Sequence, residues 1–360
     1  MGRGSITRRD FATFLAAFGG GVFLSFKNPV EARAVDDCYS FEDDLGRSAV
    51  VPETIRSVLA LGVNAQTLLV QLCPDLLVSL VKESEEDDAA DYEAAGVSTV
   101  VSQLGTGVIN SSDIGSVNPG VLETLQPDVM IDAGLPREQL AEDLDRLQDE
   151  INVPCLFFDL SFGHLSAAYR RLGLLFGRES RAEVLAEYVE SIWVQARSSL
   201  REDLVVPLKV LYAPRIDGAG VSSSISVQLA ALEHLGVEVI EDVYDYESKT
   251  LNFNKIDENP PEIIVFDDLT SGEQLALRQG DVAELWQDVI DRYCIRTITA
   301  PARMHSWVRS MVFVQSIGLL WLQQALRGPS DDFVSGEIVQ EYYEIFYRYC
   351  PLSVDEEHSK

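Results

Sequence analysis

Residues 178–203 constrain the fold more than any other stretch, because no Gly or Pro interrupts them and their apolar positions have a helical period. Ala182, Leu185, Ala186, Val189, Ile192, Trp193, Ala196 and Leu200 follow i, i+3, i+4, i+7 spacing, which predicts a helix with one buried stripe. At 1.5 Å per residue it extends about 39 Å. Alone, such a stretch would be a long surface helix on a single domain. Its flanks argue otherwise. Each carries a proline, an acid and then a strand: Pro127-Asp128-Val129-Met130-Ile131 before, and Pro261-Glu262-Ile263-Ile264-Val265 after. The expected class is α/β, with two Rossmann-like lobes, residues 35–177 and 204–360, joined by one long interlobe helix, residues 178–203. A ligand crevice is expected between the lobes.

Charge narrows the partners. The 360 residues carry a formal net charge of -30, with 58 acidic residues against 28 Lys plus Arg. Nucleic acid is excluded as a ligand, since phosphate binding needs concentrated positive charge. An anionic small molecule would need a local basic site. Five cysteines, Cys38, Cys73, Cys155, Cys294 and Cys350, show no CxxC spacing, so zinc is not indicated. Cys73, Cys155 and Cys294 lie in apolar runs as small core residues. Cys38 and Cys350 lie near the two ends, and their pairing stays open.

Residues 1–34 read as an address. The twin-arginine motif Thr7-Arg8-Arg9-Asp10-Phe11 precedes an apolar run, residues 11–26, and an A-x-A-type cleavage site, Ala32-Arg33-Ala34. The expectation is an exported protein, periplasmic or extracellular, soluble or held by an uncleaved N-terminal anchor. No other stretch is apolar for 18 residues.

The rest alternates short apolar strands with helices, the pattern of mainly parallel sheets covered on both faces. Residues 35–51 read as a polar leader. Strands are expected at 57–61, 99–102, 128–131 and 153–158, with helices at 66–72, 137–148 and 164–176. After the long helix come strands at 209–212, 237–240, 263–266 and 296–300, helices at 226–235 and 308–326, and an aromatic-rich helix at 337–349. In such sheets, ligands bind at the carboxyl ends of strands. That selects Val63-Asn64, Gly105-Thr106, Gly134 and Ser161-Phe162, although each alone is ordinary turn chemistry. The loop from Ala213 to Gly220 has neither GxGxxG nor GxxxxGK[ST], so it is not a nucleotide loop.

The richest constellation is Arg303-Met304-His305-Ser306-Trp307, which offers a cation, an imidazole and an indole after a strand. Such a loop suits an aromatic or anionic ligand. Equally, Trp307 could start the next helix as core. Catalysis finds little support. His164, His234, His305 and His358 match no HExxH and no nucleophile elbow; His164 and His234 read as structural. Asp267-Asp268 reads as a turn.

Several phrases resemble the helix-linked (class III) solute-binding proteins of ABC importers, the iron-siderophore, haem and vitamin B12 type. They are Ser57-Val58-Leu59-Ala60-Leu61-Gly62-Val63-Asn64-Ala65, Val121-Leu122-Glu123-Thr124-Leu125-Gln126-Pro127-Asp128-Val129, Tyr169-Arg170-Arg171-Leu172-Gly173, Ile317-Gly318-Leu319-Leu320-Trp321-Leu322 and Tyr342-Tyr343-Glu344-Ile345-Phe346-Tyr347. The resemblance runs from about Ser57 to Tyr349. It implies a non-catalytic binding protein, needing no cofactor, that delivers a metal chelate (a ferric siderophore, haem or a corrinoid such as cobalamin) to an ABC permease and its ATPase as a monomer. Carried over by position, the ligand loops are Val63-Asn64, Gly105-Thr106, Gly134-Leu135, Ser161-Phe162, Arg215, Asp268-Leu269 and His305-Ser306-Trp307. The glutamate that docks on permease arginines has Gly120 at its place here; Glu123 and Glu233 are the nearest candidates. The same resemblance admits oxyanion binders, a ligand-sensing receptor partner, or a chelatase-like enzyme using His305 with Asp268.

Overall fold

Among the described residues, three short apolar strands build the first sheet. Their faces are covered on both sides, which is why they lack polar alternation. In a computed structural model, residues 38–78, 125–200, 207–215, 221, 225–266, 281–300, 302–303, 305–308, 310–328 and 337–347 are described. An antiparallel hairpin comes first, β1 (Cys38–Glu42) with β2 (Ser48–Pro52). Then follow β3 (Val58–Ala60), α1 (Val63–Leu72), a 3-10 turn (Pro74–Leu76), β4 (Val129–Gly134), α2 (Leu140–Ile151), β5 (Cys155–Asp159) and α3 (Leu165–Phe176). Strands β3, β4 and β5 are parallel in that order. Leu59, Met130, Leu144 and Phe157 meet in the core between this sheet and α2.

The hairpin corrects the expectation of a polar leader over 35–51. Phe41, Ala49 and Val51 are buried, and the Phe41 ring lies 6.3 Å from Phe158. Asp43 is buried too, yet its carboxylate accepts from the amides of Leu45, Arg47 and Phe157 and pairs with the Arg47 guanidinium at 2.9 Å. A buried carboxylate held this way costs far less than a bare one. The acid-rich composition concealed a two-residue alternation, Ala49 and Val51 inward, Ser48 and Val50 outward.

The predicted long helix is α4 (Glu179–Leu200), 22 residues or about 33 Å. It is fixed to the first lobe near its start. Arg181 donates to the carbonyls of Gln71 and Phe346. Arg170 on α3 grips Glu183 and Glu190, and its guanidinium holds both carboxyls below their ordinary range. These groups are half-exposed, so the pairs contribute only about 0.5–1 kcal/mol each. Close helix contact matters more. A Cβ at Gly173 would stand 2.3 Å from the Ala182 Cβ. Gly173→Ala therefore separates α3 from α4 and lowers stability by about 1–3 kcal/mol, read from the urea midpoint.

The second lobe contains β6 (Lys209–Ala213), α5 (Ser226–His234), β7 (Glu238–Val239), the antiparallel pair β8 (Tyr244–Asp245) and β9 (Thr250–Leu251), α6 (Phe253–Glu258), β10 (Ile263–Phe266), α7 (Asp281–Tyr293) and β11 (Arg296–Thr299). A small antiparallel pair follows, β12 (Ala302–Arg303) with β13 (His305–Ser306), then α8 (Ile317–Arg327) and α9 (Glu337–Tyr347). Its sheet is parallel, ordered β11-β10-β6-β7. Trp286 of α7 seals one face, 5.4 Å from Phe266 and 4.7 Å from Phe253.

The helix expected at 308–326 starts only at Ile317. Turns occupy the residues before it. Two side chains compete with helical backbone bonding there: the Gln315 amide donates to the Met311 carbonyl, and the Ser316 hydroxyl to the Val312 carbonyl. The chain folds back so tightly that a Cβ at Gly318 would meet the Trp307 carbonyl oxygen at 2.0 Å. Helix α9 returns to the first lobe. Tyr347 accepts from the Gln71 amide at 2.8 Å, the Tyr169 hydroxyl donates to the same Gln71 side chain, and Phe346 lies 6.1 Å from Tyr169 and 5.8 Å from Tyr188. Among the described residues, no helix is long and apolar enough to cross a membrane.

Candidate site at the carboxyl edge and the interlobe seam

Parallel strands place all their carboxyl ends on one edge, so the loops after β3, β4 and β5 are neighbours. The first is Gly62-Val63-Asn64, where Val63 and Asn64 open α1 half-buried. The second is the end of β4 and its exit, Asp132 to Leu135. Gly134 has open space where a Cβ would stand, and its carbonyl accepts from the Leu160 amide at 2.7 Å, tying the second loop to the third. Burial pushes the Asp132 carboxyl above its usual range; the Ala133 amide and Arg137 oppose this only in part. An acid raised in the folded chain holds its proton more tightly there than when unfolded. Stability therefore falls as pH rises from the unfolded value of about 3.9 through the folded one. Asp132→Asn removes that fall, so the urea midpoints of variant and parent diverge with rising pH in favour of the variant.

The third loop is the most ordered. Asp159 ends β5, and its Oδ1 accepts from both the amide (2.7 Å) and the hydroxyl (2.6 Å) of Ser161. Its Oδ2 meets His164 Nδ1 at 2.6 Å, just before α3 begins. Its own amide donates to Asp44. His164, which sequence reads as structural, is exposed, with its imidazole oriented by the Asp159 carboxylate. The signal was the spacing Asp159, Ser161, His164 at a strand end: an acid whose side chain closes the turn preceding a helix.

This loop presses against the second lobe. Phe162, expected to line a ligand loop, packs its ring 6.1 Å from Trp193 on α4 and 5.2 Å from His234 on α5. The Gly163 amide donates to Gln315 Oε1 at 2.8 Å, and Gln315 Nε2 donates to the Leu160 carbonyl at 2.9 Å. Trp193 donates its indole N–H to the Gln315 carbonyl, and His234 Nε2 lies 2.9 Å from the Trp193 carbonyl. Gln315 is fully buried. Sequence reading missed Gln315 and Trp193 as seam residues, because their partners are distant in the chain, whereas His234, read as structural, packs at the same seam.

In the second lobe, Arg215 stands exposed at the carboxyl end of β6. Trp307 is a correction to the expectation of a pocket-rimming ring. It is fully buried, with its indole 3.4 Å from the Tyr343 hydroxyl, so it supports the core beneath α9. His305 and Ser306 form β13, whose backbone alone is described. Gly105, Thr106, Asp268, Leu269 and Glu123 lie outside the described residues, as do Cys350 and residues 1–34. Glu233 is exposed on α5. Cys73 and Cys155 are buried thiols, the latter pushed up to about 12 by burial, and both are inert core residues, whereas Cys294, also expected in the core, is exposed just after α7.

A cavity of about 870 Å³ lies elsewhere, at the amino ends of β10 and β11, between Leu208, Pro261, Ile263, Tyr293, Arg296 and Leu326. Arg296 uses its guanidinium to cap α8, donating to the Ala325 and Leu326 carbonyls. The cavity does not coincide with the carboxyl-edge loops. Among the described residues, no group of three or more His, Cys, Asp or Glu is placed to hold a metal ion.

No protein-family model and no curated protein sequence matches the chain. Solved structures do. A solute-binding protein of an ABC transporter from Sulfurospirillum deleyianum DSM 6946 superimposes with a TM-score of 0.61 at 18% identity, over 86% of this chain and 95% of that one. The molybdate periplasmic binding protein MolA of Haemophilus influenzae, bound to molybdate, gives 0.64 at 16%, over 87% and 99%. The haem-binding protein HmuT gives 0.50 at 16%, over 80% and 92%. At these identities the likeness is one of fold.

Proposed function

We propose that this chain, which has the fold of the helix-linked, two-lobed solute-binding proteins of ABC importers, binds a solute outside the cytoplasm and delivers it to a permease and its ATPase without catalysis. The solute we propose is a metal chelate: a ferric siderophore, haem or a corrinoid. The observation that carries the reading is the arrangement of the seam. Two parallel sheets share one stiff helix, and the carboxyl-edge loop 160–164 of the first abuts Gln315, Trp193 and His234 across it. Carboxyl-edge loops are where open α/β sheets take ligands. Arg215 supplies a cation for a ligand anion. Export by the twin-arginine motif and docking through Glu233 or Glu123 belong to the same proposal.

Trp193, half-buried at the seam, is a built-in reporter. Titrating residues 35–360 with ferric protoporphyrin IX, a ferric tris-catecholate and cobalamin, read by tryptophan fluorescence, gives a saturable change with at least one of them. The absence of saturable change with all three contradicts the reading.

A further inference from the structure

We infer that the cavity at the amino ends of the second lobe's strands is a second small-molecule site, separate from the carboxyl-edge loops, and that it takes a carboxylate with an aliphatic body. The inference is independent of the proposed transport role. The cavity measures about 870 Å³, within the range of roughly 300–1,000 Å³ of small-molecule pockets. It forms where strand starts and helix ends meet. Leu208 precedes β6, Ile263 opens β10 and Arg296 opens β11, while Tyr293 ends α7 and Leu326 lies in the last turn of α8. Ile263 pairs in register with Val210 on one side and Arg296 on the other, so the three strand starts are adjacent. The same strands end at Ala213, Phe266 and Thr299, on the opposite edge of the sheet. A ligand here therefore shares no residue with the carboxyl-edge loops.

The wall chemistry selects the ligand. Leu208, Pro260, Pro261, Ile263 and Leu326 present aliphatic surface. Among them stands Arg296. Its guanidinium donates to the Ala325 carbonyl at 2.8 Å and the Leu326 carbonyl at 2.5 Å. Those two bonds satisfy the end of α8 and use two of the five N–H groups that a guanidinium offers. Arg47, Arg170 and Arg292 all face carboxylates. Arg296 pairs with none among the described residues, and partial burial depresses its guanidinium with no acid acting against that. Glu262 also lines the cavity, but its carboxylate accepts from the Lys209 amide at 2.9 Å. A partly buried cation without a counter-ion favours an anion, and the planar guanidinium matches a carboxylate. The aliphatic wall then takes the ligand's chain out of water. Cys294 lines the same cavity and is exposed, so its thiol reports on occupancy.

The test uses dodecanoate below micelle-forming concentration, with dodecanol and dodecyltrimethylammonium as controls of equal chain length. Replacements Cys38→Ser and Cys350→Ser leave Cys294 as the accessible thiol, since Cys73 and Cys155 are buried. Dodecanoate is expected to bind saturably and to slow alkylation of Cys294 by iodoacetamide about tenfold, with dodecanol about 10–100-fold weaker and dodecyltrimethylammonium giving no protection. Arg296→Gln is expected to weaken dodecanoate by the same factor and leave dodecanol unchanged. Should that variant fail to fold, the three head groups on the parent chain decide the matter alone. Equal affinity for dodecanoate and dodecanol overturns the inference. So does dodecanoate binding that leaves Cys294 alkylation unchanged, and so does the absence of saturable binding. A Cys294 thiol that resists alkylation in the unliganded protein means a closed cavity and overturns it as well.

Discussion

Gln315→Met lowers the unfolding free energy by about 3 kcal/mol, measured by urea denaturation near pH 7. The substitution keeps side-chain length and volume but removes both amide donors and the strong acceptor. Three backbone groups then lose their partner: the Leu160 carbonyl, the Met311 carbonyl and the Gly163 amide. Each buried orphan costs about 1–3 kcal/mol, reduced where water or relaxation reaches it. Two of the three belong to the first-lobe loop 160–164, so the same variant loosens the seam and speeds amide exchange at Gly163 before global unfolding. A loss below about 1 kcal/mol means that the lobes do not depend on this residue for their mutual position.

Trp307→Ala lowers stability by about 3–5 kcal/mol, the cost of emptying a large buried aromatic site. The indole is fully enclosed and close to the Tyr343 hydroxyl, while Tyr343 belongs to the helix that returns to the first lobe. The expected phenotype is a lowered melting temperature, with the folded fraction keeping its ligand affinity. Were the ring a pocket wall, the pattern would invert: affinity would fall and the melting temperature would hold. Calorimetric melting paired with a ligand titration separates the two.

What could be read from sequence follows local physics. The helix at Glu179–Leu200 was legible because its stripe repeats over more than five turns and no residue breaks it. Strand Ile263–Phe266 was legible as an apolar run bounded by prolines and acids. Parallel pairing followed from strand–helix alternation. The misreadings arose where a distant partner overrode the local signal. Apolar residues 308–316 scan as helix, yet Gln315 and Ser316 spend their side chains on turn carbonyls, and Trp307 lies against Gly318. Residues 38–52, expected to belong to a polar leader, form a hairpin in which β5 offers Asp43 a buried amide, the one on Phe157. The contact of His164 with Asp159 escapes sequence reading because it exists only once the Asp159 turn has closed. The loops after β3, β4 and β5 share one edge because the strands are parallel, but their chemistry depends on side-chain orientation, which spacing alone does not supply.

The stiffness of α4 has a mechanical consequence. A helix bonded to the first lobe through Arg181 and to the second through Trp193 resists bending, so the proposed ligand capture is expected to involve small lobe movement. The central claim, that the chain holds one solute molecule, is tested most directly by native mass spectrometry of residues 35–360 mixed with each ferric chelate and cobalamin. The account predicts a single adduct of one intact chelate per chain with at least one of them. Only unliganded mass with every chelate, or a ladder of several weak adducts, would contradict it.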